Sequence, residues 1–325
     1  FTLDTLLANL VASSAIENET INVFSLRSSL AQRLGVTLEQ PYPSSDRSEG
    51  LANIMLDALN DVKQPLTVNR LMQWHRWLFN DPDWTMHRLR IGQLRGAEPM
   101  QVVSGRLDYP KVHFEAPPRQ GLEERLNAFI DWFNQSLNDS LLDPLLRAGI
   151  THLWFVTLHP FDDGNGRITR TLTDLALAQM DEQSIRLYAM STAILNKRKS
   201  YYEILEQTQK NDSDITDWLV WFLDTLNDSL EKTLAQISRT LFKSQFWHKY
   251  SNLALSEEQR KVLNRLLDGG ENGFEHGISA SQYQKVAKTS KATATRHLSD
   301  LLEKGCIVKL EGGGRNTRYQ INTQL

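Results

Sequence analysis

The residues from His159 to Arg170 read HPFDDGNGRITR and bring together groups that handle phosphate. Apolar residues follow at helical spacing, so the pattern predicts that a helix begins at the turn Gly164-Asn165-Gly166. Backbone amides at a helix N-terminus attract phosphate oxygens, and glycine lets the chain come close to a ligand. The turn is therefore predicted to be an anion-binding cradle.

Charged residues on either side of this turn complete a site for phosphoryl or nucleotidyl transfer. Asp163 can hold Mg²⁺ between phosphates, and Arg167 and Arg170, three apart on one helix face, can neutralise a triphosphate. His159 can accept the proton of an attacking hydroxyl. The alternative is a plain structural loop in which Phe161 is buried, Asp163 caps the helix and both arginines are solvated.

The full string matches HxFx(D/E)GNGRxxR at every specified position, and on this ground the chain resembles the Fic family. The resemblance implies protein AMPylation with ATP and Mg²⁺, in which a Ser, Thr or Tyr hydroxyl of a target protein attacks the α-phosphate. It implies that His159 is the general base and that Asp163 is the metal ligand. In this segment it assigns ATP binding to Asp163, Gly164, Asn165, Gly166, Arg167 and Arg170.

A second motif lies near the start of the chain, where the residues from Ser13 to Asn18 read SSAIEN. They match (S/T)xxxE(G/N), the inhibitory pattern that many Fic proteins carry on a helix beside the ATP site. A buried Arg170 needs an anionic partner when no γ-phosphate is present, and Glu17 is the predicted partner. Ser13, Glu17 and Asn18 are therefore predicted to be inhibitory, in the class whose inhibitory helix precedes the catalytic core.

Length and composition limit the class of protein. The 325 residues predict two or three domains, and 40% hydrophobic residues with a net charge of −3 are typical of a soluble globular protein. The single cysteine, Cys306, excludes an intrachain disulfide and a cysteine-based zinc cluster. With no apolar run near ~20 residues and no signal-peptide pattern, we expect a cytoplasmic location and no membrane partner.

The first part of the chain is predicted to be helical. Amphipathic stretches cover Leu3–Ile16, Ile21–Leu34 and Leu51–Leu59, with a polar break at Pro41–Glu49. Further core residues are expected at Trp74, Trp77 and Leu78. Residues 1–88 are predicted to form an N-terminal helical domain that carries the inhibitory helix.

A β-hairpin is predicted from Met100 to Phe114, where two short β-leaning runs flank a polar connection. The Fic resemblance implies that this hairpin is the flap, which aligns the target protein over residues 101–114 by strand addition. It also implies ATP contacts from Val102 and Val103. An ordinary surface hairpin remains the alternative.

The helices Leu122–Asn134 and Pro144–Leu158 are predicted to lead into the motif, and residues 89–240 to form the catalytic core. After the motif helix, the resemblance implies that Tyr201, Tyr202 and Gln209 contact the adenine end of ATP. Both tyrosines can equally be buried on a helix face.

The chain from 241 to 325 is predicted to be a winged helix-turn-helix domain, reached by a helix from Thr216 to Trp247. Residues 281–325 hold eight Lys and Arg against three Asp and Glu. DNA binding through 281–321 is therefore possible, with docking of another protein as the alternative. Phosphate contacts are predicted for Lys291, Arg296, Arg315 and Arg318. The predicted helices and strands are Glu257–Leu267, Ser279–Ala287, Lys291–Lys304, Ile307–Leu310 and Thr317–Ile321.

The predicted fold class is mainly α, with a Fic-type helical core, a small β-hairpin flap and a C-terminal winged helix. The whole chain resembles the bacterial Fic subfamily with a DUF4172-type N-terminal domain. The expected function is an adenylyltransferase in which Glu17 competes for Arg170. Alternatives are deAMPylation at the same site, a Fic-fold sensor that regulates transcription through DNA, and transfer of UMP, GMP, phosphocholine or a γ-phosphate. A homodimer is possible.

Overall fold

The computed structural model describes residues 2–60, 62–80, 89–106, 109–181, 188–210, 213–269, 274, 276–311 and 317–324. The chain forms two compact units, Phe1–Leu230 and Glu231–Leu325, each with its own hydrophobic core. The N-terminal helices and the motif helices share the first core. The predicted domain boundary at 88/89 therefore does not separate two hydrophobic cores. The division into three domains stays a prediction. No described helix is both long and apolar enough to cross a bilayer.

Four helices open the first unit. They are α1 (Thr2–Ile16), α2 (Val23–Arg33), α3 (Asp46–Asn60) and α4 (Val68–Leu78). Helix α3 begins five residues before the predicted Leu51, because acidic Asp46 and Glu49 in its first turn favour a helix N-terminus where we predicted a break. Trp74 and Leu78 are buried as predicted, and Trp77 is partly buried.

The hairpin and the helices around the motif complete this unit. They are β1 (Gln101–Arg106), β2 (Tyr109–Glu115), α5 (Leu122–Gln135), α6 (Pro144–Leu158), α7 (Asn165–Asp181), α8 (Met190–Asn196), α9 (Arg198–Lys210) and the part of α10 (Thr216–Lys249) up to Leu230. The two strands pair antiparallel, with an irregularity in register between Val102 and Val103. The predicted hairpin and the helix beginning at the glycine turn are both present.

The motif loop, residues 159–164, connects α6 to α7. Helix α6 starts with Pro144, behind Asp143 whose carboxylate accepts from the amide of Leu145 at 2.8 Å, and ends at His159 in the left-handed region at φ 48°. Gly164, at φ 81°, opens α7, and a Cβ there would lie 2.6 Å from Leu78 Cδ2. Only glycine satisfies both this backbone conformation and this close approach.

The second unit contains α11 (Glu257–Asp268), α12 (Ala280–Ala287), α13 (Lys291–Glu303), and the antiparallel strands β3 (Ile307–Lys309) and β4 (Tyr319–Ile321). Capping boxes begin α11 at Ser256 and α12 at Ser279. The elements follow the predicted order. The glycine-rich turn with Arg315 lies outside the described residues, and the winged-helix assignment stays a prediction.

Candidate active site

A cavity of about 1080 Å³ opens where the motif loop, the end of α1, the flap and α9 meet. Most of the predicted site residues line it. They are Glu17, Asn18, Val102, His159, Asp163, Gly164, Asn165, Gly166, Tyr201, Tyr202 and Gln209. The fold therefore brings both sequence motifs and the flap to one place.

His159 is held in the form that a base requires. Its Nδ1 lies 3.1 Å from the carbonyl oxygen of Val156, and because a carbonyl only accepts, Nδ1 carries the proton. The lone pair of Nε2 is then left for a substrate proton. Burial lowers the pKa of His159, so the ring is neutral at pH 7.

Arg95 holds the same loop in place through hydrogen bonds, and this role was not predicted from the sequence. This side chain is 2% exposed, and its Nε donates to the carbonyl oxygen of His159 at 2.8 Å. Its backbone amide donates to the carbonyl oxygen of Pro160 at 2.9 Å. An arginine in a loop segment carries no sequence signal for this role, because both acceptors lie more than 60 residues away in the chain.

His75 braces the loop from the other side and was also missed. Its Nδ1 accepts from the amide of Gly92 at 2.9 Å, so Nε2 carries the proton and donates to the carbonyl oxygen of Asp163 at 3.2 Å. The ring stacks on Phe161 with centroids 4.3 Å apart. Burial lowers the pKa of His75 to about 4, so it is a neutral structural group.

Asp162 and Asp163 have different surroundings although they are adjacent. Asp162 accepts from the backbone amides of Arg90, at 3.2 Å, and Gly96, at 3.3 Å, so it holds a turn together. The side chain of Asp163 is 47% exposed, and its Oδ1 accepts from the amide of Gly164 at 2.6 Å. Within the described part of the chain no three His, Cys, Asp or Glu side chains cluster as metal ligands. Any cation at Asp163 must take its other ligands from substrate and water.

The side chain of Asn165 is engaged within the motif loop. Its Oδ1 accepts from the amide of Phe161 and its Nδ2 donates to the carbonyl oxygen of the same residue, both at 2.9 Å. The side chain therefore closes the loop and is not open to phosphate. Only its backbone amide, with those of Gly166 and Arg167 in the first turn of α7, lacks an intrahelical acceptor and can face a ligand.

Both motif arginines are buried, with Arg167 5% and Arg170 2% exposed. The alternative in which they are solvated is therefore wrong. Arg170 donates through Nη2 to Glu17 Oε1 and to the carbonyl oxygen of Ser13, and through Nε to Ser13 Oγ, each at 2.8 Å. Its Nη1 is buried and forms no hydrogen bond with the described residues.

Glu17 stays ionised against Arg170. Burial acts to raise the pKa of this carboxyl, but the charge and hydrogen bond of Arg170 outweigh it and the net pKa is lowered. Asn18 follows in the left-handed region at φ 59°, which ends α1 and turns the chain away. Asn and Gly are the residues that adopt this conformation most readily, which explains why the inhibitory pattern ends in either.

A second carboxylate, missed in the sequence, meets the other motif arginine. Glu19 Oε2 lies 2.7 Å from Arg167 Nη1 and also pairs with Arg47 of α3. The guanidinium of Arg167 lies 5.1 Å from the ring centroid of Phe79 and its Nη2 is 3.5 Å from Asp163 Oδ1. The segment that follows α1 therefore supplies one carboxylate to each motif arginine.

The two tyrosines of α9 differ. Tyr201 is 2% exposed, and its hydroxyl lies 2.9 Å from Nε2 of His152, so it is mainly a core residue at the edge of the cavity. Tyr202 is half-buried, with the guanidinium of Arg198 5.4 Å from its ring centroid. Gln209 Nε2 donates to Thr157 Oγ1 at 3.1 Å. Tyr202 and Gln209 are the more open of the predicted adenine contacts.

The flap forms the opposite wall of the cavity. Val102 lines it, whereas the side chain of Val103 lies outside the described residues. His113 of β2 forms a hydrogen-bond contact with Glu206 of α9, with Nδ1 and Oε2 2.5 Å apart. This contact joins the flap to α9 across the cavity.

These features define a class of protein: a helical core in which an HxFxDGNGRxxR loop opens a helix at the floor of a cavity. Residues 65–177 match the Fic/DOC family, and residues 1–36 match a domain of unknown function, DUF4172. The chain is therefore similar to the Fic/DOC family over residues 65–177, the part that carries the motif loop.

Curated relatives named protein adenylyltransferase Fic or fic-1 match parts of the chain. The protein from Nematostella vectensis is 31% identical over 128 residues, which are 39% of this chain and 28% of that protein. The one from Caenorhabditis elegans is 29% identical over 166 residues, 50% of this chain and 30% of that protein. The Drosophila willistoni protein is 26% identical over 224 residues, or 68% and 39%. The chain thus spans well under half the length of these relatives.

Solved structures share the fold. A Fic family protein from Desulfovibrio desulfuricans G20 has a TM-score of 0.54 at 19% identity, covering 98% of this chain and 87% of that one. A Fic-domain signalling protein from Bacteroides thetaiotaomicron has a TM-score of 0.52 at 20% identity, covering 72% and 85%. At such identities the likeness shows the fold alone.

Proposed function

We propose that this protein transfers AMP from ATP to a Ser, Thr or Tyr hydroxyl of a target protein, and that Glu17 inhibits the reaction. The observation that carries the proposal is the Nδ1 contact of His159 with Val156, which leaves Nε2 free beside a helix N-terminus and two buried arginines. The names of the adenylyltransferase relatives support the same chemistry.

In the proposed reaction the triphosphate lies at the start of α7, where free amides and the helix dipole favour anions. The target hydroxyl gives its proton to Nε2 of His159 while its oxygen bonds to the α-phosphorus. The bond from the α-phosphorus to the bridging oxygen breaks, and pyrophosphate leaves. Arg167 and Arg170 neutralise the phosphates and the charge that develops on the leaving group.

Mg²⁺ fits the chemistry of this donor set. Protein-bound Mg²⁺ commonly takes one or two carboxylates and completes its shell with phosphates and water. Asp163 supplies one partly exposed carboxylate at the edge of the cradle, whereas Asp162 is engaged with backbone amides. Bound there, Mg²⁺ would offset phosphate charge, and Asp163 would hold it.

The inhibition rests on competition for Arg170. Glu17 Oε1 accepts from Arg170 Nη2 at 2.8 Å, and a Cβ built on Gly166 would overlap the same oxygen. The carboxylate of Glu17 therefore holds the side chain of Arg170 and also fills part of the anion-binding cradle. A γ-phosphate that needs this arginine must displace Glu17 or bind elsewhere.

The flap and α9 are the proposed walls for the remaining parts of the complex. Backbone groups of the short hairpin can pair with an extended target segment, which would bring its hydroxyl toward His159. Val102, Tyr202 and Gln209 line the part of the cavity assigned to the adenosine moiety.

Incubation of E17G with ATP and a bacterial lysate, followed by mass spectrometry, tests the proposal. We expect AMP on protein hydroxyls with E17G, less with the wild-type chain, and none with E17G/H159A. A different added mass would identify UMP, GMP, phosphocholine or phosphate transfer and would refute ATP-dependent AMPylation.

A second experiment tests whether the same site removes AMP from modified proteins. The wild-type chain and E17G are incubated with a premodified protein that carries labelled AMP. Faster loss of label with the wild-type chain would mean that Glu17 supports hydrolysis, and the primary activity would then be removal of AMP.

A further inference from the structure

The two units carry opposite net charge. Residues 231–325 contain 15 Lys and Arg against nine Asp and Glu, whereas residues 1–230 contain 21 against 30. The overall charge of −3 conceals this contrast. A basic unit attached to an acidic one points to a polyanionic ligand for the basic unit.

Helices α12 and α13 are arranged as a helix-turn-helix. Lys288 ends α12 in the left-handed region at φ 53°, and Ser290 begins α13 by accepting from the amide of Thr293 at 3.2 Å. The connection between the helices is three residues long. Their inner faces are anchored in the second core by Tyr283, Ala287, Ala294 and Leu298. In this motif the second helix lies in the DNA major groove.

The outer side of this motif presents unpaired cations. We call Lys285, Lys288, Lys291, Thr295 and Arg296, all exposed, the HTH face. In the described part of the chain none of its four cations forms an ion pair with an acidic side chain, whereas Lys304 pairs with Asp300. No Asp or Glu occurs anywhere from His276 to Ser299. The positive potential of the HTH face is therefore not neutralised locally.

Arg318, for which a phosphate contact was also predicted, is only partly exposed and is not included in the HTH face. Its Nη1 donates to the carbonyl oxygen of Gly277 at 2.8 Å and to Gln282 Oε1 at 3.3 Å. The guanidinium ties β4 to the start of α12. Arg315 lies outside the described residues, so the argument rests on Lys291 and Arg296 with the two lysines before them.

We propose that the HTH face binds double-stranded DNA. Lys291, Thr295 and Arg296, on the exposed side of α13, meet base edges and phosphates in the major groove. Lys285 and Lys288 contact the flanking phosphate backbone. This function is independent of the transferase site, because none of these residues belongs to the unit that contains His159.

The test uses the full chain and a pool of 30-bp duplexes with a randomised centre, followed by sequencing of the bound fraction. Fluorescence anisotropy then gives the Kd for the selected duplex as a function of KCl concentration. The variant K288A/K291A/R296A removes three cations of the HTH face. We expect its affinity to fall at least about tenfold and its salt slope to fall by roughly 2 to 3, since each phosphate contact contributes about 0.9.

The matched control is K232A/K249A/K261A, which removes three exposed cations elsewhere in the same unit. Thermal unfolding checks that both variants are folded. The control and H159A should bind within about twofold of the wild-type chain, the scatter expected for substitutions remote from the contact. The absence of an enriched sequence, or an equal loss of affinity in both triple variants, overturns the proposal.

Discussion

Glu17 and Gly166 meet so closely that a methyl group on the glycine would overlap Oε1 of the carboxylate. The same oxygen is hydrogen-bonded to Arg170. In the proposed inhibition Glu17 would therefore act in two ways, by holding an arginine and by filling space at the start of α7. Substitutions of Glu17 can separate the effect of its negative charge from the effect of its size.

Replacing Glu17 with Gly should raise the AMPylation rate more than replacing it with Gln. Gln removes the negative charge but keeps an amide group of similar size beside Gly166, whereas Gly clears the space. We expect at least about tenfold activation for E17G, because it releases a charge-assisted hydrogen bond worth about 1.5 kcal/mol or more. Initial rates with α-labelled ATP measure the difference. Equal activation by the two variants would show that bulk has no part in the inhibition.

Glu19 should act as a second restraint, on Arg167. Alone, E19A should change the rate little, because Glu17 still holds Arg170. In the E17G background we expect E19A to lower the KM for ATP by up to about tenfold, the value of one hydrogen bond to a charged group. E39A, which removes an exposed carboxylate from the same region, is the control. A rise in KM in E17G/E19A would mean instead that Glu19 positions Arg167 for ATP.

The pH dependence of the rate should reflect the lowered pKa of His159. The base must be neutral, and burial lowers its pKa below the ordinary value of 6.5. The kcat/KM of E17G should therefore be flat between pH 6.5 and 8 and should fall only at lower pH. An acidic limb centred above the ordinary histidine pKa would contradict the assignment of His159 as the base. E17G/H159A, which is expected to be inactive, gives the background rate at each pH.

Stability should fall in acid because His75 is neutral in the folded chain. Its pKa is lowered from 6.5 to about 4, so between these values the unfolded chain binds the proton and the folded chain does not. The free energy of unfolding should thus decrease as pH falls through this range, by up to about 3 kcal/mol from His75. Urea unfolding followed by tryptophan fluorescence reports mainly on the first unit, which holds seven of the eight tryptophans.

The control for this prediction is H75Q, which does not titrate. It should be less stable at pH 7, because the contacts with Gly92 and Asp163 are altered, but its stability should change less between pH 6.5 and 4. His152 has a pKa lowered by burial to about 3 and remains in both proteins, so only the difference between them is diagnostic. Identical pH dependence in both would refute the role of His75.

The features that depend on residues close together in the sequence could be predicted. The start of α7, the obligatory Gly164 and the order of His159, Asp163 and the two arginines follow from a twelve-residue string. The pairing of Glu17 with Arg170 was predictable only because the chain resembles a family with a known inhibitory pattern. His75, Arg95 and Glu19 were missed because their partners lie far away in the chain. The neighbouring residues in the sequence do not show whether a histidine or arginine forms hydrogen bonds with a distant loop.

The left-handed Asn18 separates Glu17 from Glu19 and directs the two carboxylates to different arginines. Both belong to the same chain as the site, so dilution of the protein does not weaken this tethered competitor. In the proposed inhibition, ATP competes against a constant local concentration of carboxylate. Glu17 and Glu19 are two residues apart in the segment that follows α1, so a small displacement of that segment would release both arginines together and the site would change state in one step.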